Sequence, residues 1–133
     1  MPTPIAVALV QTAGRYLVGL RGEDVHLAGY SEFPGGRILP AESAEQAAVR
    51  ECFEETGLAV RATRLRRRTT YHYDHGAVDL SFVDCDLLDG TDPGPPRPPF
   101  RWVAAAELTD HRFPPANDAV LRQLVNESRP RPA

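Results

Sequence analysis

The stretch from Gly35 to Leu58 constrains this chain more than any other. Ser43 followed three residues later by Gln46 is a capping-box pattern, in which each side chain satisfies the other residue's backbone N–H. Ala44, Gln46, Ala47, Ala48 and Arg50 favour the helix that follows, and Gly57 supplies its stop. At about 100° per residue, Glu51, Glu54 and Glu55 fall in one ~100° sector of that helix, the sector that also carries Ala44, Ala47 and Ala48. Three carboxylates thus share a face with small side chains. Like charges at i,i+3 and i,i+4 cost an isolated helix roughly 0.2 to 0.5 kcal/mol per pair, so this face needs a cation or good solvation. Mg2+ suits it, because that ion takes a few carboxylates, keeps several waters and binds substrate phosphates directly. The competing reading is a solvated acidic face with Arg50 and Glu54 paired at i,i+4. Pro34-Gly35-Gly36 favours the former: it predicts a tight turn before the helix, where backbone can approach a metal or a phosphate.

Composition bounds what surrounds this helix. A chain of 133 residues, 42% hydrophobic and 25% charged, has room for one domain with one core. No apolar run is long enough to span a bilayer, and nothing resembles a secretory signal. Cys52 and Cys85 lack metal-ligand spacing, and a mid-helix Cys52 points to a reduced, cytoplasmic setting without a disulfide. All 15 basic residues are Arg, which excludes a Schiff base or a lysine general base and leaves phosphate contacts to Arg or backbone. A net charge of -3 argues against wrapping a nucleic acid polymer but allows a metal-neutralised nucleotide. The basic run Arg61, Arg64, Arg66, Arg67 and Arg68 reads as the polar side of an exposed strand, or alternatively as a patch facing phosphates.

Elsewhere the pattern is mostly that of strands. Residues 5–10 and 15–20 read as a hairpin across Thr12-Ala13-Gly14, 22–30 as a loop and 31–33 as a short extended piece. Residues 60–73 and 77–88 form a second strand pair, turning near 74–76. Residues 93–99 make a rigid proline-rich loop, 100–103 an edge strand and 104–108 a helical turn. A final helix over 115–127 carries Ala119, Val120, Leu124 and Val125 on one face, and the tail from 128 should fray. Periodicity alone makes this an α+β chain.

The pattern Gly36-x5-Glu42-x7-Arg50-Glu51-Cys52-x-Glu54-Glu55-x-Gly57-Leu58 resembles the box of the Nudix hydrolases. Only Cys52 departs from the usual aliphatic residue, and a free Cys packs as a small hydrophobe. The resemblance implies the Nudix fold over residues 1–133, an α/β/α sandwich around a central mixed sheet. It also implies attack by water on an inner phosphorus of a nucleoside triphosphate. In that scheme Glu51, Glu54 and Glu55, with the Gly35 carbonyl, hold Mg2+, with Mn2+ as the alternative ion. Glu51 or Glu54 takes the proton, Arg50 orients them and Glu42 braces the loop.

Two further segments, Glu32-Phe33-Pro34-Gly35-Gly36 and Phe113-Pro114-Pro115-Ala116-Asn117, resemble the MutT-like branch of the family, which hydrolyses oxidised purine nucleotides such as 8-oxo-dGTP. That likeness implies Asn117 as reader of the base edge, Phe33 beside the base and Arg21 against the phosphates. The residue-level alternatives are a local turn bond for Asn117 and a core aromatic for Phe33. Two positions depart from the branch. Its base-holding Arg near the second hairpin turn is replaced by Gly76, with His75 beside it as the substitute. Its loop carboxylate is missing from 93–99, leaving Asp84, Asp86, Asp89 or Asp92 to move in, or Glu51 and Glu54 to act unaided. The expected partner is a small nucleotide, with neither nucleic acid polymer nor membrane, and the chain acts as a monomer or homodimer. Tyr71 and Tyr73 keep open a Nudix enzyme for another nucleoside diphosphate derivative, such as a dinucleoside polyphosphate. A non-catalytic nucleotide-binding domain is the third reading, opposed by the intact carboxylates.

Overall fold

The computed structural model describes residues 1–25 and 27–129. Strand β1 (Thr3–Thr12) returns as β2 (Arg15–Leu20) through Ala13 and Gly14, both at positive φ, 48° and 76°. That is the geometry of a two-residue hairpin turn whose twist matches its strands. The remaining strands are β3 (Ser31–Glu32), β4 (Gly35–Arg37), β5 (Val60–Tyr73), β6 (Gly76–Leu87) and β7 (Arg101–Ala104). The strand order is β3-β2-β1-β6-β5, with β4 on β1 and β7 on β2. The sheet is mixed because β1 and β6 run parallel, Ala6 opposite Ser81, while the other pairs are antiparallel. β2 stays beside β1 only at Gln11 and Thr12, so the other end of β1 is open for β4 to pair at Ile5–Val7.

Two helices, α1 (Ala44–Thr56) and α2 (Asp118–Ser128), cover the two faces. The alternation of β1 shows it. Ala6, Ala8 and Val10 pack with Ala47, Ala48 and Cys52 of α1, whereas Val7 and Leu9 pack with Val120, Leu121 and Leu124 of α2. β6 splits likewise, with Leu80 and Phe82 toward α2 and Val83 and Cys85 toward α1. A strand buried on both faces carries a run of apolar residues, as 5–10 does. The α/β/α arrangement and the mixed sheet are therefore both present. The predicted final helix divides into a 3-10 turn, Pro115–Asn117, and α2. Of the expected fraying tail, residues 130–133 lie outside the described residues.

The basic strand is only partly what its alternation suggested. Register shifts between Ala62 and Arg64 and between Leu65 and Arg67 break the period of two. Arg61, Arg67 and Arg68 are exposed. Arg66 instead turns inward with its side chain 7% exposed, bonding Asp84 at 2.7 Å and gripping both oxygens of Glu127 at 2.6 and 3.0 Å. It ties β5 to β6 and to α2, and it leaves Asp84, shared with Arg64 at 2.7 Å, no part in the site described below. No helix of the described residues is long and apolar enough to cross a membrane.

Candidate active site

The site forms where β4 meets α1. Gly35 and Gly36 are not the tight turn expected from Pro34-Gly35-Gly36. They lie in β4, with Gly35 opposite Val7 and Gly36 opposite Ala6. Glycine is needed for proximity. A Cβ on Gly35 would stand 2.4 Å from the Ala6 carbonyl oxygen, and one on Gly36 would stand 2.4 Å from the Glu51 carboxyl carbon. The Glu51 carboxylate thus lies directly against the bare strand.

Helix α1 starts at the predicted cap. Ser43 Oγ accepts from the Gln46 N–H at 3.0 Å, and Gln46 Oε1 accepts from the Ser43 N–H at 2.9 Å. Gly57 ends it at φ 78°. Ala47, Ala48 and Cys52 are wholly buried, so the helix sits close to the sheet and its carboxylates come close to β4.

Arg50 organises these charges. Its Nε and Nη2 grip both oxygens of Glu42 at 2.8 and 2.9 Å, and Nη2 also donates to the Arg37 carbonyl at 2.9 Å. Nη1 donates to Glu51 at 2.8 Å and to Glu54 at 3.3 Å. The Arg50–Glu54 i,i+4 pair expected of a solvated acidic face therefore exists, but it is the longest bond of a larger fork. Glu42 also accepts from the Leu39 N–H at 3.0 Å. The guanidinium, with that amide second, holds the Glu42 carboxyl down to about 2.

Glu55 accepts from the Gly35 N–H at 2.8 Å. Burial nevertheless pushes its carboxyl up to about 7, and the negative charges of Glu32, Glu51 and Glu54 add to the rise beyond what the Gly35 bond relieves. Glu42, Glu51 and Glu54 share the single charge of Arg50, and Glu55 reaches the Gly35 N–H of β4, so the carboxylates outnumber the one cation among them. Hard oxygen donors with surplus charge fit a divalent cation. Among the described residues no three His, Cys, Asp or Glu side chains stand together as a ready metal cage. Mg2+ does not require one, since it binds through one or two carboxylates together with waters and substrate phosphates.

The other predicted residues are placed as follows. Arg21 follows β2, with Nη1 3.5 Å from Glu32 and its N–H on the Tyr30 carbonyl. Phe33 is 5% exposed and stacks on Phe113 at a centroid distance of 4.9 Å, so it is a core aromatic rather than an open platform. That stack belongs to the core on the α2 face of the sheet, with Val120, Leu121 and Leu124, whereas Ala47, Ala48 and Cys52 of α1 pack on the other face. The Asn117 side-chain N–H donates to the Pro114 carbonyl at 3.1 Å, the local turn bond. His75 occupies the exposed turn between β5 and β6, in register beyond the first residue of β1. Asp92 accepts from the Gly94 N–H in a local turn.

Two features escaped the sequence. Ile5, Val78 and Ala116 are partly buried against the cluster that contains Phe33 and Phe113, and the alternation of β1 and β6 could have revealed the first two. Arg97 donates to the Glu54 carbonyl at 2.7 Å across 43 residues of sequence, for which no local signal exists.

The two glycines should fail differently. Gly35→Ala meets backbone and should lower the unfolding midpoint, whereas Gly36→Ala meets only the tip of Glu51 and should keep the fold while reducing kcat by about tenfold or more. Thermal unfolding and steady-state kinetics on both variants check this. The Glu42 carboxyl titrates below its ordinary 4.5 in the folded chain, so the stabilisation it gives is complete above 4.5 and is lost as pH falls toward about 2. Urea titrations should therefore show a stability gap between wild type and Glu42→Gln that is constant above pH 4.5 and closes as pH falls to about 2.

A family profile described as the NUDIX domain matches residues 6–123. The chain is 32% identical over 121 residues to an 8-oxo-dGTP diphosphatase of Escherichia coli strain K12, covering 90% of this chain and 94% of the relative. It is 25% identical over 129 residues to a CTP pyrophosphohydrolase of the same organism, covering 97% of this chain and 96% of the relative. A MutT structure from work on the Aliivibrio salmonicida and Vibrio cholerae proteins superposes with TM-score 0.65 at 30% identity, covering 96% of this chain and 99% of that one. The Escherichia coli ORF135 protein shares the fold with TM-score 0.77 at 23% identity, over 98% of this chain and 94% of that one. Its box, its fold and these relatives along nearly its whole length make this chain a member of the Nudix hydrolase family.

Proposed function

We propose that this chain, acting as one Nudix domain over residues 1–133 in the cytoplasm, is a Mg2+-dependent pyrophosphohydrolase of nucleoside triphosphates. Its preferred substrates are oxidised purines such as 8-oxo-dGTP, and its products are the nucleoside monophosphate and pyrophosphate. The observation that carries the substrate reading is the Phe33–Phe113 stack, which ties the residue before Pro34-Gly35-Gly36 to the segment that leads into Asn117. An amide offers a donor and an acceptor side by side, the complement of a purine edge. The bond from Asn117 to the Pro114 carbonyl uses one N–H of that amide and leaves its second N–H and its oxygen for a base edge. Partly buried Ile5, Val78 and Ala116 supply apolar surface on the same cluster.

Water adds to an inner phosphorus as the α–β bridge breaks, and its proton passes to a glutamate. The candidates for that role are Glu51, bonded by Arg50 and laid against Gly36, and Glu54, 57% exposed and more loosely tied. When bound at Glu51, Glu54, Glu55 and the Gly35 carbonyl, Mg2+ or Mn2+ supplies charge neutralisation and polarises the attacked phosphorus. Arg21 takes phosphate charge at the mouth of the site, since the chain has no Lys.

The CTP pyrophosphohydrolase relative supports a second reading, in which the same chemistry acts on a pyrimidine triphosphate. Pyrophosphate release from 8-oxo-dGTP, dGTP, CTP and a dinucleoside polyphosphate, with wild type and Asn117→Ala in parallel, separates them. The proposal predicts preference for 8-oxo-dGTP, reduced by about tenfold or more in Asn117→Ala. Equal use of CTP, indifferent to Asn117, would overturn the substrate assignment.

A further inference from the structure

A helix leaves its last four carbonyls without partners of its own. In α1 these belong to Phe53, Glu54, Glu55 and Thr56. Gly57 N–H closes on the Phe53 carbonyl at 2.9 Å. Two of the other three are held by one distant residue. Arg97 Nη1 donates to the Glu54 carbonyl at 2.7 Å, and the Arg97 backbone N–H donates to the Thr56 carbonyl at 3.2 Å. The last turn of α1 has no basic residue of its own, so Arg97 also brings the cation that the negative end of a helix favours.

Arg97 is mounted on a stiff support. Pro93, Pro95, Pro96, Pro98 and Pro99 flank it, and each fixes its own φ. The Trp102 indole N–H donates to the Pro93 carbonyl, and the Arg97 carbonyl accepts from Phe100 N–H at 3.0 Å, which anchors the loop to the start of β7.

The turn so clasped carries Glu54 and Glu55. Helix ends fray when their carbonyls are unsatisfied, and a frayed last turn cannot keep two carboxylates in fixed positions. We propose that Arg97 is a positioning residue for hydrolysis: by closing on the Glu54 and Thr56 carbonyls it fixes the last turn of α1, and with it the places of the Glu54 and Glu55 carboxylates. The proposal rests on the reading of those carboxylates as the reacting groups. It gives the proline-rich loop, which lacks a carboxylate between 93 and 99, a part in the reaction without one.

Arg97→Ala and Arg97→Lys in the full chain test it. Amide hydrogen exchange at Thr56 and Gly57 is read without nucleotide, and kcat and KM are read with whichever nucleoside triphosphate the wild type hydrolyses. For Arg97→Ala the expected result is exchange faster by about tenfold, kcat lower by about tenfold and KM within about twofold. Arg97→Lys, which keeps one donor, should recover part of both losses. Unchanged kcat in Arg97→Ala overturns the proposal, as does a rise in KM with kcat intact, which would assign Arg97 to nucleotide binding. Because the exchange measurement needs no substrate, a wrong substrate assignment does not mimic a failed clasp.

Discussion

The five N–H donors of Arg50 connect everything that makes this site possible. They reach Glu42 in the loop before α1, the Arg37 carbonyl on β4, and Glu51 and Glu54 on α1 itself. A helix bearing Glu51, Glu54 and Glu55 on one sector would repel itself, and bringing that sector against a sheet would raise the cost by removing water. A planar fork answers both problems, because it neutralises charge and sets direction at once. A Lys in its place would give charge without the fork, so the chain's exclusive use of Arg suits this position in particular.

That fork works only because the backbones come close. Ala47, Ala48 and Cys52 of α1 pack on Ala6 and Ala8 of β1, small against small. β4 then needs Gly35 to pass the Ala6 carbonyl and Gly36 to admit the Glu51 carboxylate. The residues that build this part of the core are therefore the residues that place the chemistry. Glu55 shows the consequence in its electrostatics, since close packing desolvates it and lifts its carboxyl to about 7 despite the bond from Gly35. A divalent cation, of the kind used across the Nudix family, would relieve what one arginine leaves uncompensated.

Local signals in the sequence were legible and distant ones were not. The cap at Ser43, the stop at Gly57 and the length of β5 follow from residues adjacent in the chain, and each stands where it was expected. The glycine pair was read as a turn because Pro-Gly-Gly usually is one. Only the register of β4 against β1 shows that these glycines serve close approach. Phe33 was ambiguous between stacking platform and core, and Phe113, eighty positions away, decides for the core. Arg66 was assigned to an exposed face by an alternation that two bulges break. Arg97 was invisible for the same reason: its partners are carbonyls, which every residue has.

In the proposed reaction the Glu51 carboxylate, held between Arg50 and Gly36, takes part in the hydrolysis rather than only in the charge network. The most direct measurement is Mg2+-dependent kcat for Glu51→Gln, with its unfolding curve recorded alongside. Gln keeps the shape and can still accept from Arg50, but it loses the charge and the basicity. If Glu51 reacts, kcat falls by about a hundredfold or more with the fold intact. A Glu51→Gln variant that turns over near the wild-type rate would contradict that role.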